Sequence, residues 1–173
     1  MARETVTIGV VVERRRLNSA WADHAWVPAG VLPGAPNAPA WTVLDETPDV
    51  KRFYAGPAEL EFFSSDTATY RDNLRSGTPS LWVSLRDEDT PPGIAVHIVT
   101  ADPAEGEGLT ESGTSIVEAV PMPADIQERL AAFVAAHHVE RVFHKRQRDR
   151  ADPDALAIRP AGPRDGDGPE GEQ

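Results

Sequence analysis

The chain has 173 residues, no cysteine and a net charge of -11. That length suits one domain with enough interior to fold unstapled, and the missing thiols exclude disulfides, zinc–thiolate sites and cysteine nucleophiles. The acidic balance argues against the broad basic face that general nucleic-acid binding needs.

The charge is unevenly placed. Residues 56–140 carry four Lys/Arg against fifteen Asp/Glu, whereas residues 141–150 carry five against one, so a short basic cluster stands out on an acidic chain. Near the N-terminus the apolar run covers only residues 8–12 and arginines follow it, which is the wrong order for a signal peptide. No run approaches the ~20 apolar residues of a membrane span. A cytoplasmic protein, bound to neither membrane nor nucleic acid, is expected.

In chain order, residues 5–13 alternate as a strand, with Val6, Ile8, Val10 and Val12 on one face. Residues 25–32 resume as a strand that Pro28 assigns to an edge or a bulge. Residues 33–39 are a loop by composition, and residues 41–44 and 52–55 are short strands flanking a turn at Thr47, Pro48 and Asp49. Ala58, Leu60 and Phe62 mark a further strand with Glu59 and Glu61 on its wet face. Ser65 or Asp66 is placed to cap a short helix carrying Tyr70 and Leu74, stopped at Gly77. Leu81, Val83 and Leu85 alternate against Trp82, residues 87–93 turn, and Ile94, Val96 and Ile98 return. Asp102 and Pro103 open another short helix, in which Gly106 and Gly108 each cost about 1 kcal/mol relative to alanine.

Residues 115–148 organise the rest: a strand, a proline corner, an amphipathic helix and a basic exit. Pro121 and Pro123 prevent a helix upstream, and Asp125 opposes the positive end of the helix dipole. Ile126, Leu130, Phe133, Val134 and His137 share one helical face. The expected fold is α+β: a mainly antiparallel curved sheet or partial barrel, one long C-terminal helix packed on it, and two short helices. The domain is expected over residues 1–150, with a disordered, acidic, Pro/Gly-rich tail over 151–173.

Candidate binding residues fall in four groups. Glu13, Arg14 and Arg15 at the end of the first strand, and Lys145 and Arg146 after the helix, are positioned to hold an anion or an acidic partner, because guanidinium forks pair carboxylates and phosphates in bidentate fashion. Trp21 and Trp26 are candidate apolar anchors, against the ordinary alternative that tryptophan packs on a sheet. His137 and His138 point about 100° apart on a helix and cannot both face one metal ion; burial or a dipole contact competes with an acid–base role. No metal-binding His/acid spacing, nucleophile elbow or phosphate-binding glycine loop occurs, so neither a metal nor a catalytic residue is assigned.

Several stretches together resemble a known family: IGVVVERRR (residues 8–16), the spaced Trp21 and Trp26, VLPG (31–34), RFYAGPAELEFF (52–63), YRDNL (70–74), IVEAVPMP (116–123) and HHVERVFHKRQR (137–148). They are similar to a bacterial family of small proteins, Domain of Unknown Function 3305, from about Thr5 to Arg148. Residues 103–113 depart from the family pattern, which reads as a firmer helix there. The resemblance implies genes beside molybdenum- or tungsten-dependent formate dehydrogenases. It therefore implies a non-catalytic accessory protein whose partner is a formate dehydrogenase subunit or a maturation factor. It also implies an alternative, a role in molybdopterin-guanine dinucleotide biosynthesis or binding, with that cofactor held transiently between the basic clusters.

Overall fold

The structure is a computed structural model and describes residues 1–140, of which residues 1–139 form one compact unit. Seven strands and three helices follow one another as β1 (Arg3–Arg16), β2 (His24–Leu32), β3 (Thr42–Glu46), β4 (Val50–Phe63), α1 (Thr67–Arg75), β5 (Ser80–Asp87), β6 (Ile94–Thr100), α2 (Pro103–Glu111), β7 (Ile116–Pro121) and α3 (Ala124–His137). Every strand pairing is antiparallel.

The expected single curved sheet or partial barrel is not what forms. There are two sheets, one of four strands ordered β2-β1-β4-β3 and one of three ordered β6-β5-β7, and they close no barrel. Nor is there a long C-terminal helix: α3 is the longest helix described and has 14 residues. The two sheets and α3 bury one shared core. Val6, Ile8, Val10 and Val12 of β1, Leu60 and Phe62 of β4, and Leu81, Val83 and Leu85 of β5 meet there with Ile126, Leu130, Phe133 and Val134 of α3. Burying each of those four helical side chains contributes at most about 1.5–3 kcal/mol. His137 does not continue the stripe inward; it is exposed, with its ring 4.6 Å from that of Phe133.

Two of the three bulges in the larger sheet fall on the pairings of β1. Against β2, the register of β1 slips between Val11 and Val12, leaving Ala29 unpaired beside Pro28. β2 is also an edge strand, so Pro28 sits where a missing N–H is tolerated. Against β4 the slip falls between Val10 and Val11, leaving Ala55 unpaired beside Gly56 at φ 113°. What reads in sequence as two short strands around residues 55–57 is thus one bulged strand of 14 residues.

Polar side chains tie the helices to this frame. Asn73 of α1 is 3% exposed. Its Nδ2 donates to the carbonyls of Ser80 at 2.8 Å and Ala101 at 2.9 Å, and its Oδ1 accepts from the Ser80 N–H at 3.0 Å. One side chain therefore satisfies backbone at the start of β5 and beyond the end of β6. Neither Ser65 nor Asp66 caps α1 through its side chain; a 3-10 turn at Ser64–Asp66 leads into the helix instead. For α2 the expected cap forms, with Asp102 Oδ1 accepting from the Ala104 N–H at 2.9 Å. No described helix is long and apolar enough to cross a membrane. The domain limit at residue 150, the tail over 151–173, Lys145 and Arg146 lie outside the described residues.

The two glycines of α2 differ in kind. A Cβ at Gly106 would lie 2.3 Å from Cγ of Trp82, whose indole covers the outer face of β5, whereas a Cβ at Gly108 meets nothing within 4 Å. Substituting alanine should therefore act in opposite directions. Gly106→Ala forces the indole aside and is expected to destabilise by about 1–3 kcal/mol, while Gly108→Ala is expected to stabilise by up to about 1 kcal/mol. Urea midpoints of the two variants check this; shifts of the same sign would show that α2 does not rest on Trp82 in this way.

Candidate functional site

Alternation along a strand separates the candidates at the end of β1, because neighbouring side chains point to opposite faces. Arg14 lies on one face, opposite Trp26 of β2 and Lys51 of β4. Glu13 and Arg15 lie on the other, with Arg52 directly across from Glu13.

On the first face three aromatic rings pack edge to face or tilted. Trp26 and Trp41 are 5.6 Å apart, Trp26 and Phe53 5.6 Å, and Trp41 and Phe53 5.9 Å. The Arg14 guanidinium carbon stands 5.7 Å from the ring centres of both Trp26 and Phe53, and the Lys51 Nζ 5.6 Å from that of Phe53. These are cation–π distances, in which the electron-rich ring face attracts the cation. His24 adds an edge contact to Trp26 at 5.9 Å. Trp41 holds a φ of 68°, a left-handed conformation that a bulky residue adopts only when its surroundings impose it. Here its N–H donates to the Tyr54 carbonyl, and its ring completes the trio. Beside this platform a cleft of about 370 Å³ is lined by Arg14, Arg16, His24 and Lys51, and also by Asp23, Glu46 and Asp49.

The opposite face holds a charge network. Glu13, 8% exposed, accepts from Arg15 Nε at 2.9 Å through Oε2 and from Arg52 Nη2 at 2.9 Å through Oε1. Arg52 Nη1 also donates to Asp45 Oδ2 at 3.0 Å. The hydrogen bond from Arg52 holds the Glu13 carboxyl below the ordinary glutamate value, burial opposes it, and Arg15 adds to the lowering. Arg52 in turn is pushed up, first by its bond to Glu13 and then by Asp45.

The remaining candidates lie elsewhere. Trp21 is 96% exposed in the loop between β1 and β2, near Leu17 at 39%. His138 follows α3 and bridges to α1: Arg71 Nη1 stands 3.0 Å from its Nε2, and its Nδ1 stands 3.0 Å from Thr67 Oγ1. A guanidinium can only donate, so Nε2 accepts and Nδ1 carries the proton toward Thr67. That contact is just beyond Phe63, whereas Arg14 pairs with Lys51 at the other end of β4. The two histidines therefore do not join the Arg14 surface. Among the described residues no group of three or more His, Asp or Glu is placed to hold a metal ion. Sequence reading missed Trp41, Lys51, Phe53, Asp45 and Arg52. Their only signal is cross-strand register, which a single strand does not announce.

Because the folded carboxyl of Glu13 binds its proton less readily than the unfolded one, its pairing adds stability that is fully present above the ordinary carboxylate range, about pH 4. That stability is lost as pH falls through the lowered folded value. The stability gap between wild type and Glu13→Gln should thus be open at pH 7 and close as pH falls below the ordinary carboxylate range. Urea midpoints taken across that range provide the measurement, and a gap independent of pH would show that Glu13 is not held ionised by its arginines.

The chain matches no curated protein and no solved structure. One family model matches it, described as protein of unknown function (DUF3305), over residues 7–147. That span runs from within β1 through α3 and includes the aromatic platform and the Glu13 network. The chain belongs to this family of proteins of unknown function.

Proposed function

We propose that the protein is a non-catalytic accessory protein that docks a protein partner on the cationic, aromatic end of its four-stranded sheet. The observation that carries this reading is Arg14, half-buried over Trp26 and Phe53, with no carboxylate paired to it among the described residues. Its neighbours Arg15 and Arg52 are both spent on Glu13. Contact with both rings restrains the side chain before binding, and its N–H fork is left for an incoming carboxylate. Arginine and aromatic residues together are what concentrate binding energy at protein interfaces. Trp21, almost fully exposed on the neighbouring loop, adds an apolar contact.

The family resemblance supplies the partner to try first: a subunit or maturation factor of a cytoplasmic molybdenum- or tungsten-dependent formate dehydrogenase, during assembly or cofactor loading. A pterin nucleotide such as molybdopterin-guanine dinucleotide suits the surface less well. Asp23, Glu46 and Asp49 line the same cleft as the cations and would repel a diphosphate. A protein surface carrying both charges meets no such penalty.

Affinity capture with the full chain from cells expressing the dehydrogenase is expected to enrich a dehydrogenase subunit or maturation factor. Reversing charge in an Arg14→Glu/Lys51→Glu variant is expected to cut that enrichment at least about tenfold, since a like-charge contact costs on the order of a few kcal/mol. Equal enrichment by wild type and variant would move the docking surface elsewhere. No enrichment by either, with calorimetric binding of a guanine nucleotide, would favour the cofactor-binding alternative.

A further inference from the structure

The Arg14 surface has an occupant to consider in this chain's own sequence. Residues 151–173 carry six Asp/Glu against two Arg and lie beyond the span matched by the family model, which ends at residue 147. Within them Asp152, Asp154, Leu156 and Ile158 place two carboxylates and then two branched apolar side chains at every second position, with Pro153, Ala155 and Ala157 between. In an extended segment alternate side chains share one face. That face would be acidic at one end and apolar at the other.

The four-stranded sheet offers the matching pattern. Arg14 and Lys51 stand opposite each other on β1 and β4, with the rings of Trp26, Trp41 and Phe53 beside them. Val43, opposite Phe53 on the outer strand β3, is 44% exposed and extends the apolar part of this face. A diphosphate gathers its charge at one point, where Asp23, Glu46 and Asp49 oppose it. Carboxylates at alternate positions of an extended chain are about 7 Å apart, so one can meet the Arg14 fork while the apolar residues run over the rings.

The chain is long enough to bring the two together. Glu140, the last described residue, follows His138, whose ring contacts Thr67 just beyond the Phe63 end of β4. Lys51 lies 12 residues back along that strand, which is about 40 Å at most. The 14 residues from Glu140 to Asp154 span up to about 46–50 Å, and a tether raises the effective concentration so that a weak contact is populated. We infer that residues 152–158 lie back on the Arg14 surface and cover it until a partner displaces them. The exclusion of a partner rests on the docking proposed above; the contact of this segment with Arg14 does not.

A water-soluble carbodiimide, which joins carboxylates to amines in contact with them, tests this on the purified full chain. The chain has two lysines, Lys51 and Lys145, so few products compete. An amide between Lys51 and Asp152 or Asp154 is expected, measured by peptide mass spectrometry against the local link from Lys51 to Glu46, whose charged groups are 3.8 Å apart. A mixture of isotopically light and heavy chains should place the link within one chain. Arg14→Gln should lower its yield about threefold, as loss of one exposed ion pair does. In the affinity capture above, Asp152→Asn/Asp154→Asn should raise partner enrichment about threefold, because more of the surface is free. No link to residues 152–158, a link only between chains, or a yield indifferent to Arg14 overturns the proposal. So does equal enrichment of a partner by wild type and the Asn variant. If neither enriches a partner, the docking reading fails and the link alone decides the contact.

Discussion

The fold depends on the inner face of β1. Val6, Ile8, Val10 and Val12 stand in a row at 3% exposure or less, and Leu81, Val83 and Leu85 of the smaller sheet share their core with α3. β1 is also the strand that joins β2 to β4, so backbone pairing and apolar burial act through the same residues. The row fixes register as well. A slip of one residue would turn those four side chains to the opposite face, and the core would lose its floor. The polar ties, Asn73 above all, then fix where α1, β5 and the chain beyond β6 sit on a frame that apolar burial has already assembled.

Much of this was legible in the residues, and the losses have physical causes. The stripe Ile126, Leu130, Phe133, Val134 is buried as the helical period demands, because periodicity reports directly on which face meets the core. The division into two sheets was not legible: an alternating strand looks the same whichever sheet it joins, and membership is decided by pairing between distant segments. Residues 55–57 read as a break because glycine and proline punctuate turns, yet Gly56 and Pro57 here accompany a bulge within one strand. The glycines of α2 were read only as helix weakeners. Gly106 is instead the place where a helix approaches an indole too closely for any side chain.

The site was legible residue by residue but not as an arrangement. The run Arg14, Arg15, Arg16 reads as one basic cluster. Alternation gives Arg14 to an aromatic platform and Arg15 to an internal carboxylate, so neighbours in sequence have different surroundings. The buried Glu13 shows why charge counts alone mislead: two arginines that look available for a partner are held by one glutamate. Arg52, the larger influence on that glutamate, is brought to it by a register that joins residues 39 apart.

The two unpaired alanines of the larger sheet have a consequence for how this surface can change. In β4 the inward positions are even-numbered at Ala58, Leu60 and Phe62 and odd-numbered at Phe53 and Lys51; the parity reverses at Ala55. In β2 it reverses at Ala29, from Val31 to Pro28 and Trp26. Trp26 and Phe53 come to lie beside Arg14 because each of their strands reverses before reaching it, at slips one residue apart along β1. Paired without these bulges, the same strands would set Val27 and Arg52 opposite Arg14 and turn the rings of Trp26 and Phe53 to the other face. Bulge placement, more than composition, therefore decides which side chains share a face with Arg14, while the core positions further along both strands stay as they are.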